Sequence, residues 1–205
     1  LTERRLVLAT SNAGKILEIR ALLEGLPIEL LTHEDFEDWP VMEEKWRTFE
    51  ENAASKAGAL SRWACLPALA DDSGLEVDAL GGAPGVRSAR YAGVQGGDAA
   101  NISRLLEEMG DIPYGKRGAR FVCVIALSSP YGPSLEIRET CEGDITGEPR
   151  GEGGFGYDPV FIPRGMSRTM AELSREEKNA LSHRGKALRQ LRALLETGKP
   201  QWLFE

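Results

Sequence analysis

The chain has 205 residues, 41% hydrophobic and 28% charged, with a formal net charge of −7. This length suits one domain of two lobes with a substantial core, and the composition is that of an ordinary globular protein. The acidic balance argues against general nucleic-acid binding, which needs a basic footprint, but permits a few cations gathered around a small anionic ligand.

No apolar run reaches the roughly 18–20 residues of a membrane span, and the opening LTERRLVLAT has too short an apolar stretch for a signal peptide. The expectation is a cytoplasmic protein that binds neither nucleic acid nor membrane. Cys65, Cys123 and Cys141 lack CxxC spacing and read as reduced packing residues. His33 and His183 are the only histidines. A histidine-rich zinc site is therefore excluded, and carboxylates favouring Mg²⁺ or Mn²⁺ would have to hold any metal.

In chain order, RRLVLAT (4–10) predicts a strand and Asn12 to Leu23 a helix with Ile16, Ile19, Leu22 and Leu23 on its apolar positions. PIELL (27–31) predicts a second strand, and HEDFEDWPVMEEKW an irregular loop. A helix over Thr48 to Ala64 carries a stripe of Phe49, Ala53, Ala57, Leu60 and Ala64. A strand at 67–71 is expected to end at a Ser-Gly turn, with EVDAL (76–80) beyond it. GGAPGVRSARYAG reads as a glycine-rich loop and 98–109 as a helix. RFVCVIALSS (120–129) and SLEIRETCEGDI (134–145) form a long antiparallel pair across Pro-Tyr-Gly-Pro. After the loop GEGGFGYDP, one helix is expected from Ser174 to Thr197, opened by a capping box of Ser174 and Glu177. The sum is an α/β protein: an elongated mixed β-sheet with flanking helices, one domain over 1–205 whose two lobes surround a central substrate cleft.

Five stretches carry candidate chemistry. In TSNAGK, Thr10, Ser11, Asn12, Ala13, Gly14 and Lys15 span a strand end and a helix start, where exposed N–H groups and the helix dipole favour an anion. It is not a Walker loop, because Ala9 and Ile16 stand where that pattern needs Gly and Ser or Thr. The plainer alternative is a helix capped by Ser11 or Asn12, with Lys15 solvated.

In LPALADDSGLE, consecutive strand residues point to opposite faces, so Asp71 and Asp72 should differ in role. In EEKWRTFEENAASK, Asn52 and Lys56 share a helix face. Glu43, Glu44, Glu50 and Glu51 are solvated acids unless one of them joins Asp72 around a divalent cation. In EGGFGYDPVF, glycines let the backbone approach a flat ligand while Phe155 offers a stacking face, or the aromatic is simply a core plug. In EEKNALSHRGKAL, Lys178 and His183 lie about 140° apart on an unbroken helix. They could share a ligand only if the helix restarted near Ser182, whose side chain would then cap the new helix. The alternative is a plain amphipathic helix with Leu181, Leu188, Leu191 and Leu195 inward.

Taken in order, TSNAGK, TFEENAASKA, ADDSGLEVDALGGAPGVRSARY, GGFGYDPVF and AELSREEKNALSHRGKAL resemble the inosine triphosphate pyrophosphatase family, over about Leu6 to Leu195. The resemblance implies hydrolysis of ITP, dITP and XTP to the monophosphate and pyrophosphate, with Mg²⁺, in a homodimer. It implies that Thr10 to Lys15, with Lys56 and Ser73, hold the triphosphate. Glu44 and Asp72 match the metal-associated acids, and Asp72 also the general base. Phe155, Gly156, Tyr157, Asp158, Lys178, His183 and Arg184 match base recognition. LysTrpArg at 45–47 departs from the family's usual glycine there, so Glu43 stands as an alternative to Glu44. The competing readings are a house-cleaning pyrophosphatase for a pyrimidine or methylated nucleotide, and a non-catalytic nucleotide-binding module.

Overall fold

The computed structural model describes residues 4–42, 45–93 and 95–204. In chain order the elements are β1 (Arg4–Leu8), α1 (Ala13–Leu23), β2 (Ile28–Leu31), α2 (Phe49–Ala64), β3 (Ala68–Val77) and α3 (Gly97–Met109), then β4 (Gly118–Ser128), β5 (Ser134–Ile145), β6 (Phe161–Pro163), α4 (Arg175–Leu181) and α5 (His183–Glu196). The strands form one sheet in the order β2-β1-β3-β4-β5-β6. β1 is parallel to both β2 and β3, and β5 is antiparallel to β6, so the expected mixed α/β sheet is present. β4 and β5 are neighbours joined only by residues 129–133, a connection short enough to require antiparallel strands. None of the described helices is long and apolar enough to cross a membrane.

The chain forms two compact units. The first combines the chain up to Asp72 with Cys123–Arg138 and the chain from Ala187; the second combines Ser73–Val122 with Glu139–Lys186. Each has its own core. Leu6, Leu8, Ile19, Leu69, Ile125, Leu127, Leu188 and Leu191 are central to the first. Leu75, Val77, Leu105, Met109, Phe121, Ile145, Val160 and Phe161 are central to the second. β4 feeds both along its length: on one face, Ala119 and Phe121 near its start enter the second core, and Cys123, Ile125 and Leu127 further on enter the first.

Two expectations about secondary structure need correction. The strand does not end at Asp71 with a Ser-Gly turn; β3 continues to Val77 through Ser73 and Gly74. Leu75 and Val77 are fully buried in the second core, and that alternating burial keeps the chain extended where Ser-Gly chemistry alone suggests a turn. Nor is 174–197 one helix. Ser182, extended at φ −66 and ψ 156, separates α4 from α5.

The cysteines are all free thiols. Cys123 and Cys141 are buried as expected, but Cys65 is an exposed, left-handed cap on α2 rather than a packing residue. Burial pushes the Cys141 thiol up to about 11.

Gly143 on β5 tests the close packing of the short β6. A Cβ there would lie 2.2 Å from the Ile162 carbonyl oxygen and 2.6 Å from the Phe161 ring. Neither can retreat without opening the β5–β6 pairing. Gly143→Ala should cost about 2–3 kcal/mol and lower the melting temperature by roughly 5–10 °C. A thermal melt that matches the wild type would contradict this packing.

Candidate active site

The first group of candidate residues lies in the first unit. Asn12 caps α1: its side chain accepts from the Lys15 N–H at 3.0 Å, and its own N–H donates to the Thr10 hydroxyl at 3.1 Å. Of the two caps expected, Asn12 is the one used. Ser11, Asn12 and Ala13 are exposed, while Thr10, Gly14 and Lys15 are half-buried. Lys15 is not a solvated side chain. Its ammonium pairs with the Asp71 carboxylate at 2.5 Å and reaches the Asp71 carbonyl at 3.3 Å.

Lys56 repeats the arrangement one residue along. It pairs with Asp72 at 2.6 Å and donates to the same Asp71 carbonyl at 3.1 Å. Two ammonium groups therefore converge on one carbonyl oxygen, and each is balanced by one of two consecutive carboxylates. Asp71 and Asp72 are 1% and 5% exposed, so both pairs form in a largely desolvated place. A buried charge pair is tolerable only when its remaining polar atoms are also engaged. Cys123 contributes to this by donating its thiol to the second Asp71 oxygen at 3.3 Å. Ser73, next on β3, is half-buried.

Glu43 and Glu44, the candidate metal-associated acids of the preceding loop, lie outside the described residues. Trp46, just beyond them, is held by the buried Asn52 side chain. That amide accepts from the Trp46 N–H at 3.1 Å and donates to its carbonyl at 3.3 Å. Among the described residues no group of three or more His, Cys, Asp or Glu side chains converges as a metal cage. A cavity of about 1040 Å³ opens beside Arg4, Arg5, Lys199 and Trp202, and none of the candidate site residues lines it.

The second group lies in the second unit. The Asp158 carboxylate accepts from the Phe155 N–H at 2.9 Å and pairs with Lys178 at 2.7 Å. The Lys178 ammonium stands 4.5 Å from the centre of the Phe155 ring, and the Arg184 guanidinium 5.4 Å from it. Lys178, His183 and Arg184 are all buried. His183 stacks on Phe121, with ring centres 4.8 Å apart and planes 10° from parallel.

The helix restarts at Ser182, the condition set for Lys178 and His183 to share a ligand. The pair it brings to one ring is Lys178 and Arg184, while His183 stacks on Phe121. Ser182 closes α4 by donating its N–H to the Lys178 carbonyl at 2.9 Å. It opens α5 by accepting from the Gly185 N–H through its side chain at 3.0 Å and from the Lys186 N–H through its carbonyl at 2.9 Å. Sequence reasoning missed Phe121 as the neighbour of His183 in the second group and Cys123 as the neighbour of Asp71 in the first. Both sit two apart on β4, so alternation places them on one face, but only strand register shows what that face meets.

The helix restart makes a measurable claim. Ser182→Ala removes a cap and should cost about 1 kcal/mol. Gly185→Ala should cost more, about 2–3 kcal/mol, because its Cβ would stand 1.9 Å from the Asn179 carbonyl oxygen. Urea unfolding that ranks the two in the opposite order would be inconsistent with this junction.

Comparison with known proteins finds relatives along nearly the whole chain. The Ham1 family profile matches residues 6–194. A dITP/XTP pyrophosphatase of Geobacter sulfurreducens is 55% identical over 184 residues, covering 90% of this chain and 92% of that protein. A Ham1 protein from Coxiella burnetii has a solved structure with a TM-score of 0.87 and 45% identity, covering 95% of this chain and 99% of that one. The Staphylococcus aureus Ham1 protein follows with a TM-score of 0.86 and 40% identity, over 96% of this chain and 100% of that one. The resemblance carried by the five motifs is thus borne out, and this chain belongs to the Ham1 family.

Proposed function

We propose that this protein hydrolyses deaminated purine nucleoside triphosphates, dITP, ITP and XTP, to the monophosphate and pyrophosphate. The observation that carries the reading is the pair of lysines, Lys15 and Lys56, set on consecutive aspartates beside the capped start of α1. Relatives named dITP/XTP pyrophosphatase, at 55% and 52% identity, support the same substrate class.

In this reading Thr10 to Lys15, Lys56 and Ser73 hold the triphosphate. Water attacks the α-phosphorus, the bond from that phosphorus to the α–β bridging oxygen breaks, and pyrophosphate leaves. Lysines and oriented N–H groups stabilise the charge that moves onto the leaving group. Asp72 accepts the proton of the attacking water. Its carboxylate is held by Lys56 at 2.6 Å. Asp71 holds Lys15 in place.

The donor chemistry fits a divalent cation, Mg²⁺ with Mn²⁺ as a substitute. Magnesium at phosphate sites is held by one or two carboxylates together with the phosphates themselves, so a three-acid cage is not required. Asp72 and Glu44, with Glu43 as the alternative, are the acids we assign to it. When bound, the ion neutralises phosphate charge and acidifies water. Asn52 holds the backbone of Trp46, which follows these acids in the sequence.

Base recognition falls to Phe155, Gly156, Asp158, Lys178, His183 and Arg184. Phe155 offers a face for the purine. His183 and Arg184 offer donors that suit a 6-oxo group and oppose a 6-amino group. Each buried donor left unpaired costs about 1–3 kcal/mol, which puts discrimination against ATP at roughly 10² to 10⁴. The family resemblance supports a homodimer as the working form, and the cysteine usage supports a cytoplasmic setting.

The test is pyrophosphate release from ITP, XTP, GTP, ATP and dUTP with Mg²⁺, for the wild type and Asp72→Asn. Turnover of ITP and XTP should exceed that of ATP by about 10² or more and fall by roughly 10² to 10⁴ in the variant. Equal use of all five nucleotides would remove the assignment of the base group. Activity that survives Asp72→Asn would remove the assignment of the catalytic acid.

A further inference from the structure

Within the run Phe155 to Asp158, Tyr157 is placed unlike its neighbours. It is 4% exposed, and its ring belongs to the second core beside Tyr91, Val160 and Phe161. Its hydroxyl donates to the Ser88 carbonyl at 2.9 Å. Burial, with smaller contributions from Tyr91 and Asp98, holds its phenol well above the ordinary tyrosine range, so it stays a neutral donor.

Ser88 is committed as well. Its hydroxyl accepts from the Leu75 N–H at 2.8 Å and donates to the Gly85 carbonyl at 2.6 Å. One residue thus ties the segment Gly85–Arg90 to β3 and, through its carbonyl, to the loop that bears Phe155. That loop has a second anchor. The Gly156 N–H donates to the Asp98 carboxylate at 2.6 Å, in the first turn of α3. Phe155 itself is bracketed by Lys178 and Arg184, so a small shift of its backbone would move the ring relative to both cations.

We propose that Tyr157 is a positioning residue: its hydroxyl bond to the Ser88 carbonyl, seconded by Asp98 on Gly156, fixes the backbone that presents Phe155 and so sets base selectivity without touching the base. The inference rests on the assignment of Phe155, Lys178 and Arg184 to the base. It deepens that assignment, because the resemblance alone would count Tyr157 among the base contacts. Selectivity in this picture is a matter of aim. The donors that read the 6-oxo group stay in place, while the ring they work against is held by a bond in the core.

The experiment compares kcat and KM for ITP and ATP in the wild type, Tyr157→Phe and Asp98→Ala, with melting temperatures recorded for each. Wild-type preference for ITP over ATP checks the underlying base assignment separately from this one. Tyr157→Phe should reduce the ITP-to-ATP ratio of kcat/KM by about tenfold, through a higher KM for ITP, with kcat within about threefold of wild type. Asp98→Ala, at an exposed residue that leaves the core intact, should shift the ratio the same way by a smaller factor. If Tyr157→Phe does not fold, Asp98→Ala alone decides. An unchanged ratio in a folded variant overturns the proposal, and so does an equal loss toward both nucleotides, which is what a merely structural role would give.

Discussion

Everything in the first unit's candidate chemistry hangs on one property of an extended chain: consecutive residues project to opposite faces. Asp71 and Asp72 are adjacent, so each can take its own lysine, one from α1 and one from α2, without competing for the same space. The peptide group between them then does a third job. Its carbonyl accepts from both ammonium groups, which brings two like charges together while keeping the local sum near zero. Burial makes the arrangement exacting. Removing one member would leave an unbalanced charge in a desolvated place, at a cost of about 3–5 kcal/mol.

The second unit answers a different problem with a different device. Side chains six residues apart on one helix do not share a face, yet Lys178 and Arg184 both address Phe155. A single extended residue, Ser182, resets the helical phase, and its own hydroxyl and carbonyl satisfy the amides that the break exposes. The close approach of Gly185 to Asn179 belongs to the same solution, since the second helix must begin hard against the end of the first.

Much of this was legible in the sequence, and the failures have a common cause. Periodicity and capping chemistry placed α2, α3, β4 and β5 to within a few residues, and the Ser174–Glu177 box opened α4 as read. A restart near Ser182 was legible only as a condition, required by helix geometry if Lys178 and His183 were to share a ligand, and one unbroken helix was the expectation. What escaped were features decided by distant partners. Ser73 and Gly74 favour a turn in isolation, but buried Leu75 and Val77 hold the strand through them. Lys15 looked solvated as readily as functional, because nothing near it in sequence names Asp71, 56 residues away, as its partner. Cys123 read as packing, and its role toward Asp71 appears only once β4 lies in register.

The lysine–aspartate pairs also bear on which anions the site can accept. Each ammonium already has a carboxylate and a carbonyl as partners, and the protein as a whole carries −7. An incoming anion meets no standing excess of positive charge and must displace existing contacts before it gains any. Both ammonium groups lie within hydrogen-bond reach of the one Asp71 carbonyl oxygen, so an anion that engages one stands close to the other. A chain of phosphates reaches both lysines together, so the exchange of contacts comes closer to balance. The cost of entry is thus set by the contacts an anion must replace, where two helix-borne lysines meet two aspartates of one strand.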